Sequence, residues 1–187
     1  EALRDRMHII TIPYNLKVSD EAQIYERLIR EANVQQVHVA PGTMHFAALF
    51  SILTRLDAKA DEKLSLVDKA KLYNGQMLEG WTPNKVKELA DKSPREGMTG
   101  ISSRSIIDAL STALGQHGAK CISPIGALRS IKDSIDGSAK MDGKHKEALL
   151  NLLAQVREEF DKEISKIASR AAVHAFDEQA NALVSRY

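Results

Sequence analysis

The stretch Arg95-Glu96-Gly97-Met98-Thr99-Gly100-Ile101-Ser102-Ser103-Arg104 runs straight into an apolar-periodic segment, Ser105 to Leu114. Two glycines loosen the backbone and two serines supply capping side chains, so the pattern predicts a loop that opens a helix with Arg104 in its first turn. An arginine there runs against the helix macrodipole, whose positive end lies at the N-terminus and favours acidic neighbours. The placement asks for an anionic partner. That partner is either a nearby Glu or Asp in a plain ion pair, or a phosphate met by a guanidinium that reaches across a cleft. Gly97-Met98-Thr99-Gly100 also fits the G-x-x-G of KH-type modules, but Met98 and Thr99 lack the cationic side chains that would help hold a nucleic-acid backbone.

Both flanks of this stretch read as helix. On the N-terminal side, Thr82-Pro83 is a cap followed by a first helical position, opening a short helix to Lys92. Before it, Lys63 to Tyr73 repeats apolar residues at Leu64, Val67, Ala70 and Leu72, and Asn74-Gly75 supplies a left-handed stop. Pro41-Gly42-Thr43 begins a core helix through Phe46, Leu49, Phe50, Leu53 and Leu56. Ser19-Asp20-Glu21 opens a helix to Asn33, with Ile24, Leu28 and Ile29 as its apolar face. Met7 to Tyr14 (MHIITIPY) is the one segment read as a strand, ended or pushed to an edge by Pro13. The residues Val34 to Ala40 read as a link.

On the C-terminal side, the helix from Ser103 to Gln116 is followed by a break at His117 to Lys120. A Ser123-Pro124 start then leads a helix to Ile135 with Ile125, Leu128 and Ile131 inward. Asp136 to Gly143 is the best linker. Beyond it, Leu149, Leu152, Leu153, Val156, Phe160, Ile164, Ile167, Ala171 and Ala175 keep three-and-four spacing to the chain end. Unbroken, that helix would be about 60 Å long at 1.5 Å per residue, so it must pack on something or bend. The expected architecture is mainly α, with one short N-terminal strand in residues 1–16, a helical unit over 17–136 and a long helical arm over 137–187.

The 187 residues carry 26 Lys and Arg against 25 Asp and Glu, a net charge of +1 that creates no field to attract nucleic acid or an anionic membrane. No apolar run approaches the roughly 18 residues of a membrane span. Cys121 has no second cysteine with which to pair, which fits a reducing cytoplasm. The six histidines show no H-E-x-x-H pair and no zinc spacing, so no metal is assigned, and His45 reads as a core or rim histidine. Glu158, Glu159, Asp161 and Glu163 interleave with Lys162 and Lys166 as a solvated helix face. Neither a phosphate-cradling G-x-x-x-x-G-K-[ST] loop nor the motif set of ordinary protein kinases is present. The chain begins Glu1-Ala2-Leu3 without a methionine and stops inside a helical pattern at Tyr187, which leads us to expect a segment of a longer protein.

Several separated motifs together carry a resemblance. They are Glu1 to Met7 with the strand and Pro13-Tyr14-Asn15-Leu16; Ser19-Asp20-Glu21 and Ile24-Tyr25-Glu26; Ala40-Pro41-Gly42-Thr43; Lys71-Leu72-Tyr73-Asn74-Gly75; and Glu96 to Arg104. In this order they resemble the bacterial PrkA family of serine protein kinases. The resemblance covers essentially the whole chain. It implies a multidomain cytoplasmic protein with an N-terminal AAA+ ATPase module and a C-terminal region to which kinase activity is ascribed, some members being described instead as ATP-dependent proteases.

This chain would hold the last strand of the nucleotide-binding core, the helical lid and a downstream arm. The resemblance implies Arg6, in the Asp5-Arg6 pair, as an arginine finger acting in trans, and Arg104 as the sensor-2 arginine on ATP phosphate. ATP with Mg is the implied cofactor of the full-length protein, with none expected on this segment alone. Implied partners are a protein substrate and neighbouring subunits of a homo-oligomer, with no nucleic acid and no membrane. The competing expectation is a non-catalytic helical regulatory module in which Arg104 is structural.

Overall fold

The computed structural model describes residues 10–31, 37–58, 64–115, 121–139 and 141–184, with backbone only from 175 onward. The expected mainly α architecture is observed. Helix α1 is Val18–Glu31, α2 Thr43–Leu53, α3 Leu66–Tyr73, α4 Pro83–Asp91, α5 Ser103–Gly115, α6 Pro124–Gly137 and α7 Gly143–Val184.

Helix α2 is the centre of the fold. Met44 and every residue from Phe46 to Leu53 are buried, so this is the helix that is apolar all round and must be covered on every side. Helix α1 covers one side, α6 and the first half of α7 others, with α3 and α5 closing the remainder. One apolar cluster runs unbroken from Val18 on α1 through Phe50, Leu110 and Ile131 to Phe160 on α7. The Phe46 and Phe160 rings meet edge to face at 5.1 Å, a geometry that adds to their area burial.

The caps predicted at Thr82 and Ser123 are in place, and Ser65, which lies inside the helix predicted from Lys63, caps α3. The Ser65, Thr82 and Ser123 hydroxyls accept hydrogen bonds from Asp68 N, Lys85 N and Gly126 N at the starts of α3, α4 and α6. Gly75, at φ +84°, closes α3: its N–H reaches Leu72 O and the Gln76 N–H reaches Lys71 O, the two bonds of a Schellman end. Helix α7 is continuous over 42 residues. Leu149, Leu153, Val156 and Phe160 are buried, whereas residues 161–174 are exposed, including Ile164, Ile167 and Val173. Among the described side chains of the arm, burial therefore ends at Phe160.

Three expectations are corrected. Residues 10–14 of the predicted strand form no strand, and residues 7–9 lie outside the described residues. Ile10 and Ile12 are exposed, and the Tyr14 N–H donates to Gly97 O at 2.8 Å, tying this stretch to the loop rather than to a sheet. The strands found among the described residues are instead β1, His38–Val39, and β2, Cys121–Ile122, paired in parallel with His38 opposite Cys121. They fall in the segments read as a link and a break, because two residues are too few to show a period of two. Each leads into a proline and a helix. Ala40 N and Thr43 Oγ1 both donate to Ile122 O, so the pair sets the starts of α2 and α6 side by side.

The third correction concerns α1. Its buried face is Val18, Glu21 and Tyr25, flanked by Ala22 and Ile29, while Ile24 and Leu28 are about 40% exposed. The helix is rotated from the apolar face predicted for it. A carboxylate inside makes this possible only because a cation meets it there.

Candidate functional site

The loop between α4 and α5 is clamped, not loose. Gly97 has φ +76°, and a Cβ on it would lie 2.8 Å from Tyr14 O; Gly100 has φ +119°, and its Cβ would lie 2.7 Å from Arg55 Cγ and 2.8 Å from Thr54 O. Both contacts are shorter than any real side chain tolerates, so the glycines serve close approach of backbone to backbone.

Two buried ion pairs hold the loop. At its start, the Glu96 carboxylate turns inward and accepts from Lys69 Nζ at 2.5 Å, Asp57 N at 2.6 Å and Tyr73 Oη at 2.8 Å. Lys69, whose side chain is as buried as that of Glu96, also donates to Asp57 O and Ser93 Oγ. Burial and the Glu96 charge push the Tyr73 phenol well above its ordinary pKa. At the loop's end, Glu21 Oε1 accepts from Arg55 Nη2 at 2.8 Å, Tyr25 Oη at 2.8 Å and Ser103 Oγ at 2.7 Å. Burial pushes the Glu21 carboxyl up, but these hydrogen bonds and the Arg55 charge outweigh it and hold it below the ordinary carboxylate value. Its second oxygen, Oε2, is buried without a hydrogen bond. Thr54 Oγ1 accepts from Ile101 N at 2.9 Å.

Helix α5 starts on this platform. Ser102 Oγ accepts from Ser105 N, the cap the sequence predicts. Arg104 stands in the first turn, exposed, and its guanidinium makes no ion pair or hydrogen bond with any described residue. Among the described residues, the plain ion pair that would satisfy it is not formed. A guanidinium and the positive end of a 13-residue helix thus point out of a rigid mount, an arrangement whose electrostatics suit a bound anion such as phosphate.

Arg6 lies outside the described residues. His45 sits at the rim of the core with its ring edge-on to Phe46, and burial lowers its pKa against the opposing pull of Glu163 and Glu159. Among the described residues no group of three or more His, Cys, Asp or Glu could hold a metal ion, and no helix is long and apolar enough to cross a membrane.

The residues that sequence reasoning missed are Glu21, Arg55, Lys69 and Glu96. A signal for two of them exists: Arg55 interrupts the apolar run between Leu53 and Leu56, and Lys69 sits beside Val67 and Ala70 on the buried stripe of α3. A charge at a core position of a periodic helix implies an opposite charge brought to it by the fold.

Two family models match the chain. Residues 1–63 match the PrkA AAA domain and residues 67–187 the PrkA serine protein kinase C-terminal domain. The chain is 36% identical over 187 residues to a Bacillus subtilis protein named ATP-dependent protease PrkA. It is 28% identical over 191 residues to the Escherichia coli K12 protein named serine/threonine kinase YeaG. In both cases all of this chain is covered, and it spans about 30% of the relative's length. No solved structure matches. The junction between the two family models falls just before α3, yet the apolar core crosses it, with Phe46 on one side packed against Phe160 on the other.

Proposed function

The chain belongs to the PrkA serine protein kinase family, and on that premise we propose that it is the lid and arm of an ATP-dependent serine protein kinase. In this reading Arg104 serves a nucleotide site completed by residues outside the chain. The observation that carries the proposal is the Arg104 guanidinium, unpaired among the described residues and presented at the start of α5 on a loop held by two buried ion pairs. Phosphoryl transfer has little covalent work for a protein to do; its gain comes from positioning and from positive charge aimed at the γ-phosphate. ATP supplies that phosphoryl group, and Mg is held by groups other than those described here. Arg104 acts as the sensor-2 cation within its own subunit, and Arg6 acts as a finger across a subunit boundary of a homo-oligomer in the cytoplasm. The substrate is a protein serine.

A second reading, favoured by the name of the Bacillus subtilis relative, is an ATP-dependent protease. Both use the same arginines, because both need ATP turnover.

The test is made in the full-length protein. Arg104→Ala should lower ATP turnover on the order of 10²-fold while calorimetric ATP binding persists. Arg6→Ala should lower turnover by about 10³-fold or more, with partial recovery on mixing with a subunit that lacks the phosphate loop. Parental turnover in both variants would refute the nucleotide-site reading. Transfer of labelled γ-phosphate to a serine, against ATP-dependent appearance of new peptide ends, separates kinase from protease.

A further inference from the structure

Arg55 follows directly on the C-cap of α2, and its side chain is completely buried. It makes four hydrogen bonds in three directions: Nη1 to Asn15 O at 2.9 Å, Nη2 to Glu21 Oε1 at 2.8 Å, and Nη2 and Nε to Ile101 O at 3.0 and 3.2 Å. Its guanidinium carbon lies 4.9 Å from the centre of the Tyr14 ring, and its own carbonyl accepts from Gly97 N at 3.1 Å. The two carbonyls it grips are not arbitrary. Asn15 lies three positions before α1, and Ile101 lies three positions before Arg104. Tyr14 N also donates to Gly97 O, so the two segments touch under the guanidinium.

The geometry points to Arg55 as a positioning residue that fixes the loop presenting Arg104 against Asn15 and the end of α2, so that Arg104 keeps a set relation to the nucleotide. This rests on the proposed nucleotide site. Glu21 is the counter-charge that keeps the fork in plane, and the Ser103 hydroxyl extends the same network into the first turn of α5. The planar five-donor fork is what the role needs. A lysine could keep the charge opposite Glu21, but its single nitrogen cannot reach carbonyls lying in separate directions.

The experiment is steady-state Mg·ATP hydrolysis by the full-length protein. Arg55→Lys should lower kcat on the order of 10- to 100-fold, the scale of a misplaced catalytic group, with KM for ATP within about threefold of the parent. In an Arg104→Ala background the same substitution should cost less than about twofold, because a group that acts through Arg104 has nothing further to misplace. If Arg55→Lys does not fold, Ser103→Ala decides. It removes only the hydroxyl bond to Glu21 and should lower kcat severalfold, an effect again absorbed by Arg104→Ala. Multiplying effects, an unchanged kcat, or a raised KM with kcat intact would each overturn the positioning role. If Arg104→Ala alone leaves turnover at the parental level, the nucleotide-site reading falls and takes this inference with it. If Arg104→Ala lowers turnover while Arg55→Lys does not, only this inference falls.

Discussion

Replacing Glu96 by glutamine changes one atom in the tightest polar cluster of the fold, and the geometry sets what it should cost. The carboxylate accepts three donors, Asp57 N and Lys69 Nζ at Oε1 and Tyr73 Oη at Oε2. A glutamine can keep the first two at its amide oxygen and turn its NH₂ toward the Tyr73 hydroxyl, which then accepts instead of donating. No hydrogen bond need be lost. What remains is a buried ammonium without a counter-charge, since both side chains of the pair are 3% exposed. Removing one member of such a pair costs about 3–5 kcal/mol, and the intact hydrogen bonds place Glu96→Gln near the lower end, about 3 kcal/mol.

For a domain of this size that corresponds to a fall in Tm of about 6–12 °C. Lys69→Met strands the carboxylate and leaves Asp57 O and Ser93 without the ammonium, so it belongs at the upper end. The double variant buries neither charge and should lie within about 2 kcal/mol of the parent. Urea unfolding followed by circular dichroism gives all three values, provided the m-value is unchanged. A Glu96→Gln cost under about 1 kcal/mol, or a double variant as costly as the sum of the singles, would refute the view that paired charge holds this loop.

Two further predictions follow from burial. Phe160→Ala should cost about 3–5 kcal/mol because its ring packs on Phe46, whereas Ile167→Ala, two turns further along α7, should stay within about 0.5 kcal/mol; equal costs in urea unfolding would mean that the arm is packed along its length. Burial, joined by the charges of Glu21 and Glu96, raises the phenol pKa of Tyr25 and Tyr73. A raised folded-state value means the stabilisation is whole below the unfolded pKa of about 10 and is lost as pH climbs beyond it. Phenolate absorbance from these two should therefore appear only with loss of helical dichroism, and ionisation of every tyrosine near pH 10 in an intact helix bundle would contradict this.

The legible parts of the fold were those written in neighbouring residues. Thr82-Pro83, Ser123-Pro124 and Asn74-Gly75 each carry their turn chemistry within a few positions, and the stripe from Leu149 to Phe160 announces a packed helix. The parts that sequence did not disclose depend on residues far apart. Glu21 and Arg55 are 34 positions apart, and Lys69 and Glu96 are 27 apart. Each alone looks like a surface charge, and only the fold makes them partners. That pairing also explains why α1 turns Ile24 and Leu28 outward against its own apolar pattern. In the candidate site, the place of Arg104 in a first helical turn was readable from Ser102 and Ser103, but the rigidity of its mount was not. The two glycines suggested freedom, and the close approach of Tyr14, Thr54 and Arg55 converts them into fixed points. The parallel pair of two-residue strands offered no period to detect.

Helix α7 is gripped by the bundle as far as Phe160 and continues to Val184, which makes it mechanically a lever with its fulcrum at the Phe46–Phe160 contact. The 24 residues past that point extend about 36 Å at 1.5 Å per residue, so a rotation of the bundle by about 10° carries the far end about 6 Å, more than the pitch of a helical turn. Because α7 packs on α2, α3 and α6, a small change in how those helices sit would be amplified along the arm into a displacement comparable with a helical turn.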